Sequence, residues 1–198
     1  MTYATTAELR NFLRLGRPYV DEEEAEAALL LDLAGGVIED ATGQSLELST
    51  DTVTLDGPTR SDRERPGRNG SRRLLLPRWP VVGVESVTLL DVDGDDQVLE
   101  FGRDRDYTWS ASGILTRVGA DWPDGDQVVE AVVTAGYTVL PRGVKRIELR
   151  LAAAGWGNPE GLTAESLGDH SKSYAAETLG MELSDADKKT LGLYRART

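Results

Sequence analysis

Apolar positions recur at helical spacing at both ends of this chain and alternate in its middle. Thr5 followed by Glu8 has the capping-box arrangement, so a short helix is expected over the residues that follow, with Leu9, Phe12 and Leu13 on one face. Gly16 and Pro18 should stop it. Asp21 with Glu24 repeats the start signal, and Glu22 and Glu23 add negative charge at the positive end of the helix dipole. In this second, longer helix Ala25, Ala28, Leu29, Leu33, Val37, Ile38 and Ala41 fall at three- and four-residue steps and form the expected buried face, with Gly43 as the stop. Gly35 and Gly36 lie inside the pattern, which points either to close approach by another element or to a tolerated weak spot.

From Thr52 to Thr138 the period becomes two. Val53 and Leu55, Leu74 and Leu76, then Val82, Val84, Val87 and Leu89 alternate, and further runs follow at Val98 to Phe101, Tyr107 to Trp109, Ile114 to Val118 and Val128 to Thr134. Five or six short antiparallel strands joined by Asp-Gly turns are expected. After Pro141, Val144, Ile147, Leu151 and Ala154 make the buried stripe of a third helix, with Arg142, Lys145, Arg146 and Arg150 mostly on its other side. Gly155, Gly157 and Pro159 should end it. Residues 161–174 show no period and read as an extended or irregular arm, and Ser184 with Asp187 opens a last short helix. The fold class expected is therefore α+β: about four helices, with a large antiparallel β insertion between the second and third. The segments are 1–50, 51–138 and 139–198.

Composition narrows the class. The 198 residues carry a net charge of −12 and no cysteine, so neither a disulfide framework nor a cysteine metal site is available. The longest apolar run, Ala27 to Leu31, is far below the roughly 20 residues that cross a bilayer, and no targeting segment is visible. Against the acidic total, Arg60, Arg63, Arg65, Arg68, Arg72 and Arg73 face only Asp62 and Glu64, which makes one loop locally +4. Three readings of that loop stand: solvated, contacting an acidic neighbour, or contacting phosphate.

Catalytic and ligand motifs are sparse. The Asp91 to Gln97 stretch has Asp96 and Gly102 where a calcium loop needs glycine and glutamate, so a hairpin turn explains it better. His170 is the single histidine, and its neighbours Asp169 and Ser171 are sequential rather than arranged as a triad. Neither a phosphate-binding glycine loop nor HExxH occurs. Carboxylate pairs sit at helix starts and turns, and a glycosidase-like pair is a matter of three-dimensional separation. No cofactor is expected. Among Trp79, Trp109, Trp122 and Trp156, core burial is the ordinary role, and Trp156 is the best interface candidate because it precedes a Gly/Pro break.

The run from Ala135 to Tyr174, AGYTVLPRGVKRIELRLAAAGWGNPEGLTAESLGDHSKSY, puts a tyrosine-ended strand, a proline, one amphipathic helix and a polar loop in order. With the short first helix, the acidic-to-apolar second helix ending in Ala41-Thr42-Gly43, and LPRWPVVGVESVT from Leu76, it resembles the head-to-tail adaptor (connector) proteins of long-tailed bacteriophages. The resemblance spans most of the chain and rests on order and spacing. It implies a non-enzymatic structural protein of the virion neck, assembled in the host cytoplasm. There it would form a ring, commonly of twelve copies, between the portal and the next neck or stopper protein. DNA would pass through without sequence-specific binding, and no membrane is involved.

On that reading the interface candidates are Trp156, then Leu162, Glu165, Asp169, His170 and Tyr174 of the arm. Leu191, Tyr194 and Arg195 are candidates for docking on the portal. Glu22, Glu23 and Glu26 are candidates for an acidic channel wall that repels the DNA backbone. Arg60, Arg63, Arg65 and Arg68 are candidates for contacting a neighbour. The long sheet-forming section departs from the smallest, mostly helical members and reads as an outward β lobe. The alternative functions are a monomeric β-rich recognition module and a soluble hydrolase built on carboxylates.

Overall fold

The computed structural model describes residues 2–58, 72–90, 94–157, 164–167, 170–173 and 181–196. These contain α1 (Thr6–Phe12), α2 (Asp21–Thr42), α3 (Arg142–Gly157) and α4 (Asp185–Leu191), with a closing 3-10 turn at Gly192–Tyr194. The strands are β1 (Ser49–Leu55), β2 (Arg73–Leu75), β3 (Val81–Leu89), β4 (Gln97–Val98), β5 (Tyr107–Ser110), β6 (Ile114–Arg117), β7 (Val129–Ala135), β8 (Ala164–Leu167) and β9 (His170–Ser173). All named strand pairs are antiparallel, so the α+β class expected from the sequence holds. The chain divides into two compact units, one made of Met1–Ser45 with Val139–Arg195 and the other of Leu46–Thr138 with Ala196–Thr198.

In the helical unit α1, α2 and α4 all pack on α3. Thr5 and Glu8 close α1 as a reciprocal capping box, each side chain accepting from the other residue's amide. The helix ends at Phe12, earlier than Gly16, because Arg14 takes the left-handed conformation at φ 57°. Phe12 is exposed while Leu9 is buried, so the expected three-residue face reduces to Leu9 at its centre. Helix α2 begins one residue earlier than its acidic run implied. Val20 is the N-cap and offers no side-chain acceptor, so only half a capping box forms, with Glu23 Oε2 accepting from the Val20 amide at 3.0 Å. Gly43, at φ 68°, ends it as expected.

Helix α3 buries the expected Val144, Ile147, Leu151 and Ala154, and also Glu148. Its close approach falls at Gly155, where a Cβ would lie 2.8 Å from the Leu30 side chain of α2. Of the residues expected to end the helix, Gly155 lies within its last turn and Gly157 is its last residue. Gly36, proposed from sequence as such a point, has open space around it, and Gly35 is buried. Within the arm expected to be extended or irregular, two extended strands pair antiparallel, Ala164 with Ser173 and Leu167 with His170. Short, polar and without an apolar face, such strands give no periodic signal; the Gly168-Asp169 dipeptide between them was the available hint.

The sheet unit holds two sheets, ordered β1-β7-β3-β4 and β2-β6-β5. β7 is central in the larger one, and Val129, Ala131, Val133 and Ala135 all turn inward along it. They meet Leu74, Leu76, Val87, Leu99, Tyr107, Leu115 and Trp122 in one apolar core. Of the alternating set on β3, Val84, Val87 and Leu89 pack into or against this core, and only Val82 departs from it. Irregularities between Val81 and Gly83 and between Val84 and Ser86 each shift the register, so Val81 and Val87 face in and Val82 is exposed. Leu89 and Val98 flank a hairpin as expected, with Thr88 opposite Val98.

Two features pin the rim of this unit. Gly136 has φ 114°, and a Cβ there would sit 2.2 Å from the Glu47 carbonyl oxygen. Arg78 donates to Ser49 Oγ and Asp51 through Nη1, and to the Glu47 and Ala135 carbonyls through Nη2, gathering the starts of β1 and the end of β7.

Candidate functional site

Helix α2 has two apolar faces, and the expected one is not the buried one. Ala27, Leu31, Ala34, Gly35, Ile38 and Thr42 turn into the helical core. Of the set read from sequence, only Ile38 is among them. Ala25, Ala28, Leu29 and Leu33 face out, and Leu29 and Leu33 are 59% and 50% exposed. At 100° per residue, Glu22, Glu26, Leu29 and Leu33 form a straight stripe diametrically opposite the core. It is acidic at the amino-terminal end and apolar beyond.

Helix α3 carries a stripe with the same spacing. Arg142 and Arg146 are exposed, and Leu149 and Ala153 are half-buried, all four on the side away from Val144, Glu148, Leu151 and Gly155. Glu22, Glu26, Arg142 and Arg146 make no ion pair among the described residues. The other cations of α3 are committed within the unit. Lys145 Nζ lies 2.8 Å from Glu8 Oε1, and Arg150 Nη2 lies 2.5 Å from Asp187 Oδ2.

Those commitments shape three carboxyl groups. Burial pushes Asp187 up, but the Ser184 hydroxyl and amide and the Arg150 guanidinium outweigh it and hold the group below its usual range. Lys145 and the Thr5 amide lower Glu8. Glu148 goes the other way: fully enclosed, it is pushed up to about 7 by burial, against the pull of the Tyr3 and Ala4 amides. Its Oε1 accepts from the Tyr3 amide at 2.6 Å and so fastens the chain's start to α3. No sequence motif marks Glu148; only its place in the stripe with Val144, Ile147 and Leu151, at the next step of the heptad, could have flagged it.

The residues proposed from sequence are scattered. Glu22 and Glu26 are exposed on α2, whereas Glu23 is gripped by both terminal nitrogens of Arg17 at 2.6 Å and is pulled down to about 2. Glu23 is thus part of the helix start and not a free wall charge. Trp156 is half-buried, its ring 5.5 Å from that of Tyr19 in the same unit. Leu191 is fully buried and anchors α4, which removes it from the docking candidates, because a side chain spent on its own core cannot also cover a partner. Tyr194 is half-buried, its carbonyl accepting from Gln44 Nε2 at 2.6 Å, and Arg195 is exposed. Leu162, Asp169 and Tyr174, with Arg60, Arg63, Arg65 and Arg68, lie outside the described residues, as do the side chains of Glu165 and His170. Among the described residues no cluster of His, Cys, Asp or Glu could hold a metal ion, and no helix is long and apolar enough to cross a membrane.

No protein-family model matches the chain, and no curated protein matches it in sequence. Its fold is similar to chains in solved structures of gene transfer agent (GTA) particles. One is described as the neck of an empty GTA particle computed with C6 symmetry, with TM-score 0.58, 20% identity, and coverage of 99% of this chain and 91% of that one. Another is described as the neck of a native GTA particle computed with C12 symmetry, with TM-score 0.57, 19% identity, and coverage of 98% and 88%. A third, from the virion of a native GTA particle, has TM-score 0.58 and 18% identity over 99% and 91% of the two chains.

Proposed function

We propose that this chain is a structural component of the neck of a tailed, phage-like particle, where copies of it form a ring around the path of the DNA. The observation that carries the reading is the end-to-end fold likeness to chains of GTA necks, which covers both units and leaves little of either chain unmatched. The order of elements that resembles head-to-tail adaptors points the same way from sequence alone. The C6 and C12 symmetries named for those necks fit the ring of twelve that the resemblance implies. A portal on one side and a stopper or further neck protein on the other are the partners that such a place in a particle requires.

A net charge of −12 suits a wall past which DNA must slide, because an acidic surface repels the phosphate backbone. The chain's work on this reading is geometric: it is held between neighbours and transmits no chemistry. Glu148, the carboxyl group pushed furthest upward, is enclosed and bonded to backbone, a structural use of the group.

The test is a reconstruction of the neck of purified particles made by cells carrying this gene, with mass spectrometry of the same particles. Density for this chain in a symmetric ring beside the portal is the expected result. Absence of the chain from the particles overturns the reading.

A further inference from the structure

The proposed ring needs a contact between copies, and two helices of one subunit present matching halves of one. The stripe on α2 reads Glu22, Glu26, Leu29, Leu33, and the stripe on α3 reads Arg142, Arg146, Leu149, Ala153. Both follow steps of four, three and four residues. Each therefore runs straight along its helix for about 16 Å at 1.5 Å per residue, and each lies directly opposite its own helix's buried face. Laid side by side in the same direction, two glutamates meet two arginines and two leucines meet a leucine and an alanine.

We infer that the α2 stripe of one copy docks on the α3 stripe of the next, and that this contact propagates the ring. The inference rests on the ring reading above. Charge decides the occupant: the free acids need a basic partner, and Arg142 and Arg146 are exposed cations with no ion pair among the described residues. Self-pairing of two α2 stripes would set glutamates against glutamates, or against leucines if the helices ran oppositely. The first repels, and the second wastes the apolar half. A patch that meets a different patch on its neighbour is the heterologous arrangement from which rings close.

Leu29 and Leu33 supply apolar area whose burial drives association, while Gly36, with open space where its side chain would be, leaves the far end of the stripe flat. Alignment of the two helix dipoles opposes the pairing only weakly, since that effect is screened and confined to the end turns. Glu22 and Glu26 are then interface groups and not part of the channel wall.

The chain's lack of cysteine makes the contact directly testable. Particles assembled with the full chain carrying Leu33→Cys and Ala153→Cys are oxidised and run without reductant, with each single variant as control. A ladder of multimers from the double variant alone is the expected result. In parallel, Glu26→Arg and Arg146→Glu should each lower incorporation into particles by about tenfold or more, because like charges then face each other, and the two together should restore it. If the double-cysteine chain enters particles without a ladder, or if exchanging the charges restores nothing, this contact is overturned while the neck reading stands. If the unaltered chain is missing from particles, the neck reading fails and the contact with it.

Discussion

The two units rely on charge to different degrees. In the helical unit, ionisable side chains tie one element to the next: Glu148, fully buried, holds the chain's start on α3, Lys145 holds Glu8 of α1, and Arg150 holds Asp187 of α4. The sheet unit has an apolar middle of Val, Leu, Ala, Tyr107 and Trp122; Arg78 clamps the β1 end at its rim, and Arg117 is buried against that middle, 5.7 Å over the Trp122 ring. The difference follows from backbone accounting. Strand pairing satisfies neighbouring strands' amides and carbonyls reciprocally, so the sheets cohere without side-chain help. Helices satisfy themselves internally and share no backbone bonds, so their mutual placement falls to side chains. The helical unit should therefore feel pH, and the sheet unit should feel backbone geometry.

The largest expected effect breaks the sheet unit alone. Gly136→Ala puts a methyl group into the Glu47 carbonyl at a backbone angle that alanine avoids, and should cost about 4 kcal/mol. Hydrogen exchange resolved by peptide should show protection lost in β1 and β7 and kept in α2 and α3. Equal loss in both units would erase the contrast.

The next effect concerns pH in the helical unit. Because the folded Glu148 carboxyl sits near 7, above its ordinary 4.5, the folded state holds a proton that the unfolded chain has released. Its contribution is thus most favourable below about 4.5 and is lost as pH rises toward 7. Glu148→Gln removes this titration while keeping an acceptor for the Tyr3 amide. Relative to the unaltered chain its stability in urea should rise by about 2 kcal/mol between pH 5 and pH 8. A flat difference would mean that Glu148 is solvated after all.

An effect of similar size sharpens the same point on the acid side. Asp187, held below its usual range, adds stability above the unfolded value and loses it as pH falls through the folded one. Asp187→Asn leaves Arg150 facing a neutral group and should cost about 2 kcal/mol at pH 7, fading as the buffer is acidified. A loss that persists unchanged at low pH would assign Asp187 a packing role only.

Local chemistry was readable where its partners are close along the chain. Thr5 with Glu8 and Ser184 with Asp187 form the boxes their spacing foretold, because both partners lie within one helical turn. The α3 stripe was readable because Arg142, Lys145, Arg146 and Arg150 mark the side away from Val144, Ile147 and Leu151. Helix α2 was not: apolar residues occupy nearly its whole circumference, so period admits two faces, and only the presence of α3 beside Leu30, Leu31 and Ala34 selects one. The outward place of Val82 on β3 was hidden for a related reason, since each register shift reverses the alternation beyond it and leaves no trace in composition. Leu191, read as a docking residue, turned inward for want of any other apolar anchor on α4.

What the sequence by itself determined here is the kind and order of elements, their caps, and the two charged-then-apolar spacings on α2 and α3, all of which are set within a few residues of chain. Which of those faces is covered, why a carboxyl at 148 rests near neutrality, and where a guanidinium at 78 finds four acceptors were decided only by tertiary structure, because burial and long-range pairing depend on which segments arrive from far along the chain.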